Sequence, residues 1–213
     1  MFDVLFPPRC VLCRKPLDIN GHNLLCPECE VNVRNYRWEL PLYLPGAAGA
    51  AAALFYTGDV RSAMQRFKFQ HHKKYLYWFA SETLPVLRVR LKKWKPDLIT
   101  YIPISWWREH TRGYNQCEQI ARMAGMQYNL VCMGLLQKKP FARRQSRLNA
   151  EQRKENAMKA FYLPKWTEQH VKGRRIVVID DIWTTGATLS AAISLLRHAG
   201  ASRVYVLTMT KVP

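Results

Sequence analysis

The stretch Ile176–Leu189, IVVIDDIWTTGATL, limits what this chain can fold into more than any other part of it. Four apolar residues, Ile176–Ile179, read as a buried strand that closes on two acids, Asp180 and Asp181. A short loop leads into Thr188–Ala199. There Leu189, Ala192, Ile193 and Leu196 fall at i, i+3, i+4 and i+7, one face of a helix, and Gly200 stands where a C-terminal cap belongs. Arg203–Met209 is again a strand. Strand, loop, helix and strand within about 34 residues make a βαβ unit, and such a unit requires a parallel sheet.

The loop also carries chemistry. Open α/β sheets bind ligands beyond the carboxyl ends of their strands, where Asp180 and Asp181 lie. A helix N-terminus offers unpaired N–H groups and a positive dipole end, which together favour an anion. Gly186 lets backbone approach that anion, beside Ala187, and Thr184, Thr185 and Thr188 add hydroxyl donors. Two carboxylates are suited to receive a vicinal diol. A phosphate cradle next to diol acceptors describes a ribose 5-phosphate. Neither GxxxxGK[ST] nor GxGxxG occurs, which argues against a nucleoside triphosphate site and a dinucleotide site.

Upstream of this unit the pattern is looser. Residues up to about Pro45 are rich in Cys and Pro, and the small residues of Gly46–Gly49 mark a boundary, giving expected units of 1–45 and 46–213. Ala51–Tyr56 reads as a strand, Val60–Phe69 and Leu76–Leu91 as helices, Leu98–Ile104 as a buried strand, Asn115–Ala124 as a helix and Leu130–Leu136 as another strand. No leader peptide is apparent, and the longest small-apolar stretch, Ala47–Phe55, is far short of the roughly 20 residues that span a bilayer. The expectation is a cytoplasmic protein without membrane insertion.

In a reducing compartment, clustered cysteines are metal ligands before they are disulfides. Cys10-x2-Cys13 and Cys26-x2-Cys29 are separated by twelve residues, a spacing at which two tight turns present four thiolates to one tetrahedral Zn2+. With four sulfurs and no open position the ion would be structural. Cys117 and Cys132 stand alone and read as core residues.

Composition bears on partners. The chain of 213 residues holds 33 Lys and Arg against 15 Asp and Glu, a formal net charge of +18, and is expected to be drawn to phosphates. Two segments concentrate that charge. Ser105–Gln116 interleaves Trp106, Trp107 and Tyr114 with Arg108 and Arg112, a mixture that suits either an anionic leaving group or stacking with single-stranded nucleic acid. Lys138–Glu155 holds seven basic residues, among them Arg143, Arg144, Arg147 and Arg153, against two acids. It suits a segment that closes over an anionic ligand or tracks a nucleic-acid backbone.

Ile176–Leu189 resembles the PRPP-binding motif of type I phosphoribosyltransferases: four apolar residues, two acids, TTG and a further Thr. The resemblance implies that Asp180 and Asp181 hold the ribose hydroxyls, that Thr184–Thr188 hold the 5-phosphate, and that Mg2+ accompanies the pyrophosphate. It also implies that Ser105, Arg108 and Arg112 receive pyrophosphate. The whole chain is similar to the ComF/GntX family, the competence group associated with bacterial DNA uptake. That likeness rests on the four cysteines and the PRPP motif. It rests also on Tyr56-x-Gly58-x-x-Arg61 with Phe67-Lys68, Ile102-Pro103, Arg108-x3-Arg112-Gly113-Tyr114-Asn115-Gln116, Gln145-x2-Leu148 and Arg153-x2-Asn156. Tyr114 stands where the family usually has Phe.

The expected fold is therefore α/β, a parallel sheet of the type I phosphoribosyltransferase kind with a small N-terminal four-cysteine zinc module. That module and residues 51–69 would form a hood over the carboxyl edge. The expected function is DNA uptake, with a PRPP site, a basic surface for single-stranded DNA and a helicase-like, ComFA-like competence ATPase as partner. An active phosphoribosyltransferase with an unknown base or amine acceptor is the alternative, and a zinc-containing adaptor with a vestigial site is the third reading. No spacing singles out a catalytic general base or an acceptor pocket.

Overall fold

The computed structural model describes residues 8–18, 23–69, 73–139 and 160–213. In chain order the strands are β1 (Gly49–Phe55), β2 (Leu98–Tyr101), β3 (Val131–Cys132), β4 (Gln137–Lys138), β5 (Phe161–Tyr162), β6 (Arg175–Trp183) and β7 (Arg203–Lys211). The helices are α1 (Pro27–Asn32), α2 (Gly58–Phe69), α3 (Lys73–Trp94), α4 (Trp106–Arg112), α5 (Gln116–Tyr128), α6 (Glu168–Val171) and α7 (Ala187–His198). Short 3-10 turns occupy Val33–Tyr36 and Lys165–Thr167.

β1, β7, β6, β2 and β3 lie side by side in that order, every pairing parallel, while β4 and β5 form a separate antiparallel pair. Alternation along the central strands supplies both faces of the core. Val177 and Ile179 of β6, with Tyr205, Leu207 and Met209 of β7, join the apolar cluster that includes α2, α3 and α5. Ile176 and Val178, with Val204 and Val206, join the cluster around α7 and the β4–β5 pair. The α/β phosphoribosyltransferase-type sheet expected from the βαβ unit is thus present, covered on both faces.

From β2 the chain passes through α5 to β3 on one side, whereas from β6 it passes through α7 to β7 on the other. β2 and β6 are neighbours, so the crevice between their carboxyl ends is where such a sheet places a ligand. At the opposite edge the same two strands are clamped by Asp97, whose carboxylate accepts the Arg175 N–H at 2.7 Å and a guanidinium N–H at 2.9 Å.

Local chemistry explains the helix limits. Asn115 caps α5 by accepting the Cys117 N–H at 3.0 Å, and Asn129, with φ of +53°, closes it in the left-handed conformation. Gly200, at φ +91°, follows α7 as expected.

Several boundaries differ from the sequence reading. β6 runs past its acids to Trp183, because Ile182 and Trp183 still pair with Thr210 and Lys211. β2 stops at Tyr101: the Ile102 N–H still reaches the Ile179 carbonyl at 2.9 Å, but Pro103 has no N–H with which to continue. Residues 130–136 give only two strand residues, since the Leu135 N–H turns back to the Met133 carbonyl and to Thr100 Oγ1. Residues 106–112, read as loop, are helical. The hood needs correction as well: residues 51–55 belong to the edge strand β1, and α2 alone of the 51–69 stretch reaches the acid pair.

The cysteine-rich segment packs on α2 and α3. Arg66 donates to the Val11 and Leu12 carbonyls at 2.8 and 2.7 Å, and Lys74 donates to the Arg9 carbonyl at 3.1 Å. Beyond α1, Arg37 and Leu42 form isolated antiparallel bridges to Leu54 and Ala50 of β1.

Candidate functional site

The crevice is built around the end of β6. Asp180 is 6% exposed, and its Oδ1 accepts the Asp181 N–H at 2.8 Å and the Cys117 thiol at 3.8 Å. Burial, reinforced by the charge of Asp181, pushes the Asp180 carboxyl up to about 8, with the Asp181 N–H, Lys68 and Cys117 opposing only in part. Burial thus favours the protonated form of Asp180, which can donate one hydrogen bond as well as accept. The same burial and the two acids hold the Cys117 thiol well above its ordinary value, so it stays a thiol. Asp181 is half-buried, with its backbone carbonyl held by Thr210 Oγ1 at 2.9 Å. Its Oδ2 meets Lys68 Nζ at 2.5 Å. The pair thus turns two adjacent acids toward the crevice, one of them paired with Lys68.

After Trp183 the chain needs only Thr184, Thr185 and Gly186 to reach α7. Gly186 is the N-terminal cap residue at φ +80°, and a Cβ there would stand 3.0 Å from Leu44 Cδ1 and 3.1 Å from Trp183 Nε1. Conformation and space both call for glycine. Thr184 and Thr185 are exposed, Ala187 and Thr188 half-buried, and Thr185 Oγ1 accepts the Ala187 N–H at 3.4 Å. A 12-residue helix thus points its N-terminus into the crevice beside two hydroxyls, an arrangement able to receive a phosphate.

The other wall follows β2. Ser105 is the residue before α4 and makes no side-chain capping bond. Trp106 and Trp107 are each 67% exposed, and Trp106 stacks on His110 at 5.3 Å. Arg108 is half-buried, and Arg112 lies over the exposed ring of Phe69 at 4.9 Å. Tyr114 is turned inward: its hydroxyl donates to the Phe67 carbonyl at 2.6 Å, which the Gln116 side-chain amide also reaches at 3.3 Å. Asn115 Nδ2 donates to the Ile102 carbonyl at 3.0 Å. Residues 113–116 therefore tie the end of α2 to the end of β2, where the sequence suggested a ligand-facing loop. Arg143, Arg144, Arg147 and Arg153 lie outside the described residues.

The four cysteines converge as their spacing required. Cys10, Cys13, Cys26 and Cys29 place their sulfurs within 4.8 Å of one another, with Cys13 and Cys26 at 3.6 Å and no disulfide. A tetrahedral ion with Zn–S of about 2.3 Å sets sulfur–sulfur edges of about 3.8 Å, so the donor set fits Zn2+. Each turn has its own support. Arg14 adopts φ +67° while its N–H reaches the Cys10 carbonyl, and Pro27 opens α1 directly after Cys26.

Comparison with known proteins agrees with both halves of this description. A phosphoribosyl transferase domain model matches residues 139–212, and a double zinc ribbon domain model matches residues 1–39. Competence protein F of Haemophilus influenzae is 25% identical over 222 residues, covering 93% of this chain and 94% of its own length. Competence protein ComFC of Streptococcus pneumoniae is 29% identical over 190 residues, 87% of this chain and 80% of its own. DNA utilization protein YhgH of Escherichia coli K12 is 34% identical over 116 residues, 52% of this chain and 48% of its own. The chain is similar over most of its length to the ComF competence proteins.

Three groups of this site carry no signal in the sequence pattern. Lys68 was visible only as part of a Phe-Lys pair, and nothing in its neighbourhood announced a partner 113 positions away. Cys117 was assigned to the core and is buried, yet it also touches Asp180. Lys211 lies over the rings of both Trp38 and Trp183 at 5.1 and 5.4 Å, and so joins the segment after the cysteines to the end of β6.

Proposed function

We propose that this ComF-family protein serves DNA uptake or utilization as a binder of PRPP, or a related ribose phosphate, and of single-stranded DNA. The observation that carries the reading is the pair of tryptophans, each 67% exposed, on α4 at the rim of the Asp180–Asp181 crevice in a chain of net charge +18. Indole faces take bases of any identity, and arginines beside them take the phosphates. Arg108 and Arg112 would face the strand from this wall, with Arg143, Arg144, Arg147 and Arg153 adding to the basic surface. The names of the relatives, Competence protein F, ComFC and DNA utilization protein, support the setting.

In this reading Asp180 and Asp181 receive the ribose hydroxyls, and Thr184, Thr185, Gly186, Ala187 and Thr188 receive the 5-phosphate. Ser105 and Arg108 face pyrophosphate, and Mg2+ arrives with the ligand. Residues 1–45 form the zinc module and 46–213 the ligand-binding unit. The protein works in the cytoplasm with a helicase-like, ComFA-like ATPase. No described helix is long and apolar enough to cross a membrane.

Titration with a single-stranded oligonucleotide at low and moderate salt tests the reading. Binding should weaken steeply as salt rises, because phosphate contacts release counterions. Trp107→Ala should cost about 1–3 kcal/mol, the usual worth of one stacked base. No binding at low salt would end it.

A second reading is favoured by one observation, the meeting of two adjacent acids, Lys68 and a helix N-terminus in a single crevice. That set suits an active phosphoribosyltransferase. Pyrophosphate release from PRPP, assayed across purine, pyrimidine and amine acceptors, decides it, and silence throughout leaves binding alone.

A further inference from the structure

Lys68 is held in place from several directions. Arg66, two residues earlier, is tied to the Val11 and Leu12 carbonyls of the first cysteine turn and donates to the Tyr75 hydroxyl at 3.0 Å. The carbonyl of Phe67 receives both the Tyr114 hydroxyl and the Gln116 amide. With its backbone fixed on both flanks, Lys68 is 19% exposed and its Nζ meets Asp181 Oδ2 at 2.5 Å. This is a shielded pair inside the crevice, unlike the solvent-exposed pair of Lys15 with Glu28.

A ribose hydroxyl that hydrogen-bonds to Asp181 Oδ2 competes with Lys68 for that oxygen. Carbon 1 of the sugar, which carries the pyrophosphate, is bonded to carbon 2, which carries a hydroxyl. An ammonium at the carboxylate that receives the hydroxyls would therefore stand near the anion on carbon 1.

We propose that Lys68 is an exchange residue of the crevice. It pairs with Asp181 while the sugar is absent and transfers to the carbon-1 pyrophosphate when the ribose hydroxyls occupy that carboxylate. The inference rests on the ribose-phosphate reading above and adds to it the source of discrimination between ribose 5-phosphate and its 1-pyrophosphorylated form. For the plain sugar phosphate, displacing Lys68 is a cost with no return. For the pyrophosphorylated sugar the lysine finds a stronger anion.

Calorimetric titration of the full-length, zinc-loaded protein with ribose 5-phosphate and, separately, with PRPP plus Mg2+ tests this in wild type, Lys68→Met and Lys68→Arg. In Lys68→Met, PRPP affinity should fall by about 10- to 30-fold, each tenfold being about 1.4 kcal/mol. Ribose 5-phosphate affinity should stay level or rise. Lys68→Arg should remain within about threefold of wild type for PRPP, because the charge is kept at similar reach. Equal losses for both ligands, or an unchanged PRPP affinity, would overturn the exchange while leaving the ribose-phosphate reading intact. Wild-type protein that binds neither ligand would overturn that reading and the exchange with it. Should Met not be tolerated at this half-buried position, Lys68→Gln carries the same contrast between the two ligands.

Discussion

The cysteine cluster and the acid pair each gather polar side chains from short stretches of sequence, but they rest on different supports. At the cysteines two tight turns meet from Cys10–Cys13 and from the start of α1, joined by the Val11 N–H to the Leu24 carbonyl at 2.9 Å, by the exposed Lys15–Glu28 pair and by four sulfurs within 4.8 Å. Without an ion, four thiols at that distance have little reason to stay together. The acid pair, by contrast, closes a strand paired on both sides, with Ile176, Val177, Val178 and Ile179 all fully buried beneath it. Its position comes from the core and would persist with the crevice empty. One region depends on its ligand for its shape, and the other is shaped before any ligand arrives.

The largest expected effect follows from that difference. A chelator should release one zinc per chain and lower the melting temperature strongly, since structural zinc binding of about 10–16 kcal/mol is also folding free energy. Cys26→Ser should do the same without chelator. Because Arg66 is bonded to Val11 and Leu12, ribose-phosphate affinity should fall several-fold as well. Zinc release measured colorimetrically alongside thermal melting checks this, and a metal-free protein with unchanged melting would break the comparison outright.

At the preformed crevice the most damaging small change is Gly186→Ala. Its left-handed conformation costs about 1–2 kcal/mol with a side chain present, and the added Cβ meets Leu44 and Trp183 at 3.0 and 3.1 Å. Stability should drop by about 1–3 kcal/mol, while ribose-phosphate affinity falls at least about tenfold because the loop must shift. Denaturant melts and ligand titration read the two effects separately. An alanine variant of normal affinity would mean that the backbone does not approach the ligand at this point.

How far the sequence foretold these regions depends on the range of the interactions. The β6 core, the acids and the turn into α7 lie in one contiguous stretch, and apolar periodicity plus glycine placement is enough to read them. The cysteines are legible for a similar reason, since tetrahedral ligation restricts spacing. Lys68 with Asp181, and Cys117 with Asp180, are long-range contacts set by how α2 and α5 pack on the sheet, which no local pattern records. Tyr114 and Gln116 looked like loop residues facing a ligand because they are polar and aromatic amid arginines. In the fold they bind a carbonyl, a role that only the approach of α2 makes available. Strand ends were misjudged where pairing, not composition, decides: β6 continues through polar residues because β7 continues beside it.

The acid pair should also reveal itself through pH. Asp180 is pushed up to about 8, above its value in an unfolded chain, so the folded protein binds a proton that the unfolded chain has already lost. The associated stability is complete below about pH 4, near the unfolded pKa of Asp, and is lost as pH rises through about 8. Asp180→Asn keeps the shape and removes the titration. Relative to wild type it should become progressively more stable between pH 5 and pH 8, by about 1 kcal/mol or more, one pKa unit being worth about 1.4 kcal/mol. Parallel stability profiles for the two proteins would show that Asp180 is ionised in the fold and that the crevice carries two charges.

The smallest effect bears on whether the two regions communicate. Trp38 follows the cysteine segment and Trp183 precedes the turn into α7, and the Lys211 ammonium lies 5.1 Å from the centre of one ring and 5.4 Å from the other. Trp38 is further anchored by its N–H to the Ala53 carbonyl and by Phe55 at 4.5 Å, so displacement of the segment before it would be felt at this cation. Lys211→Met keeps an apolar stem between the rings and removes the charge, and its cost should be about 0.5–2 kcal/mol, the range for one cation held by aromatic faces. A double-mutant cycle with Trp38→Leu should return a coupling of at least about 0.5 kcal/mol, because residues in contact are not additive. The same cycle repeated on ribose-phosphate affinity, with zinc bound and after chelation, asks whether that coupling reaches the loop. If Lys211→Met lowers affinity two- to threefold only while zinc is present, the metal-dependent region steadies the preformed one through this lysine. Additive effects in both states would mean that Lys211 carries no coupling between the two regions and that contacts such as those of Arg66 join them instead.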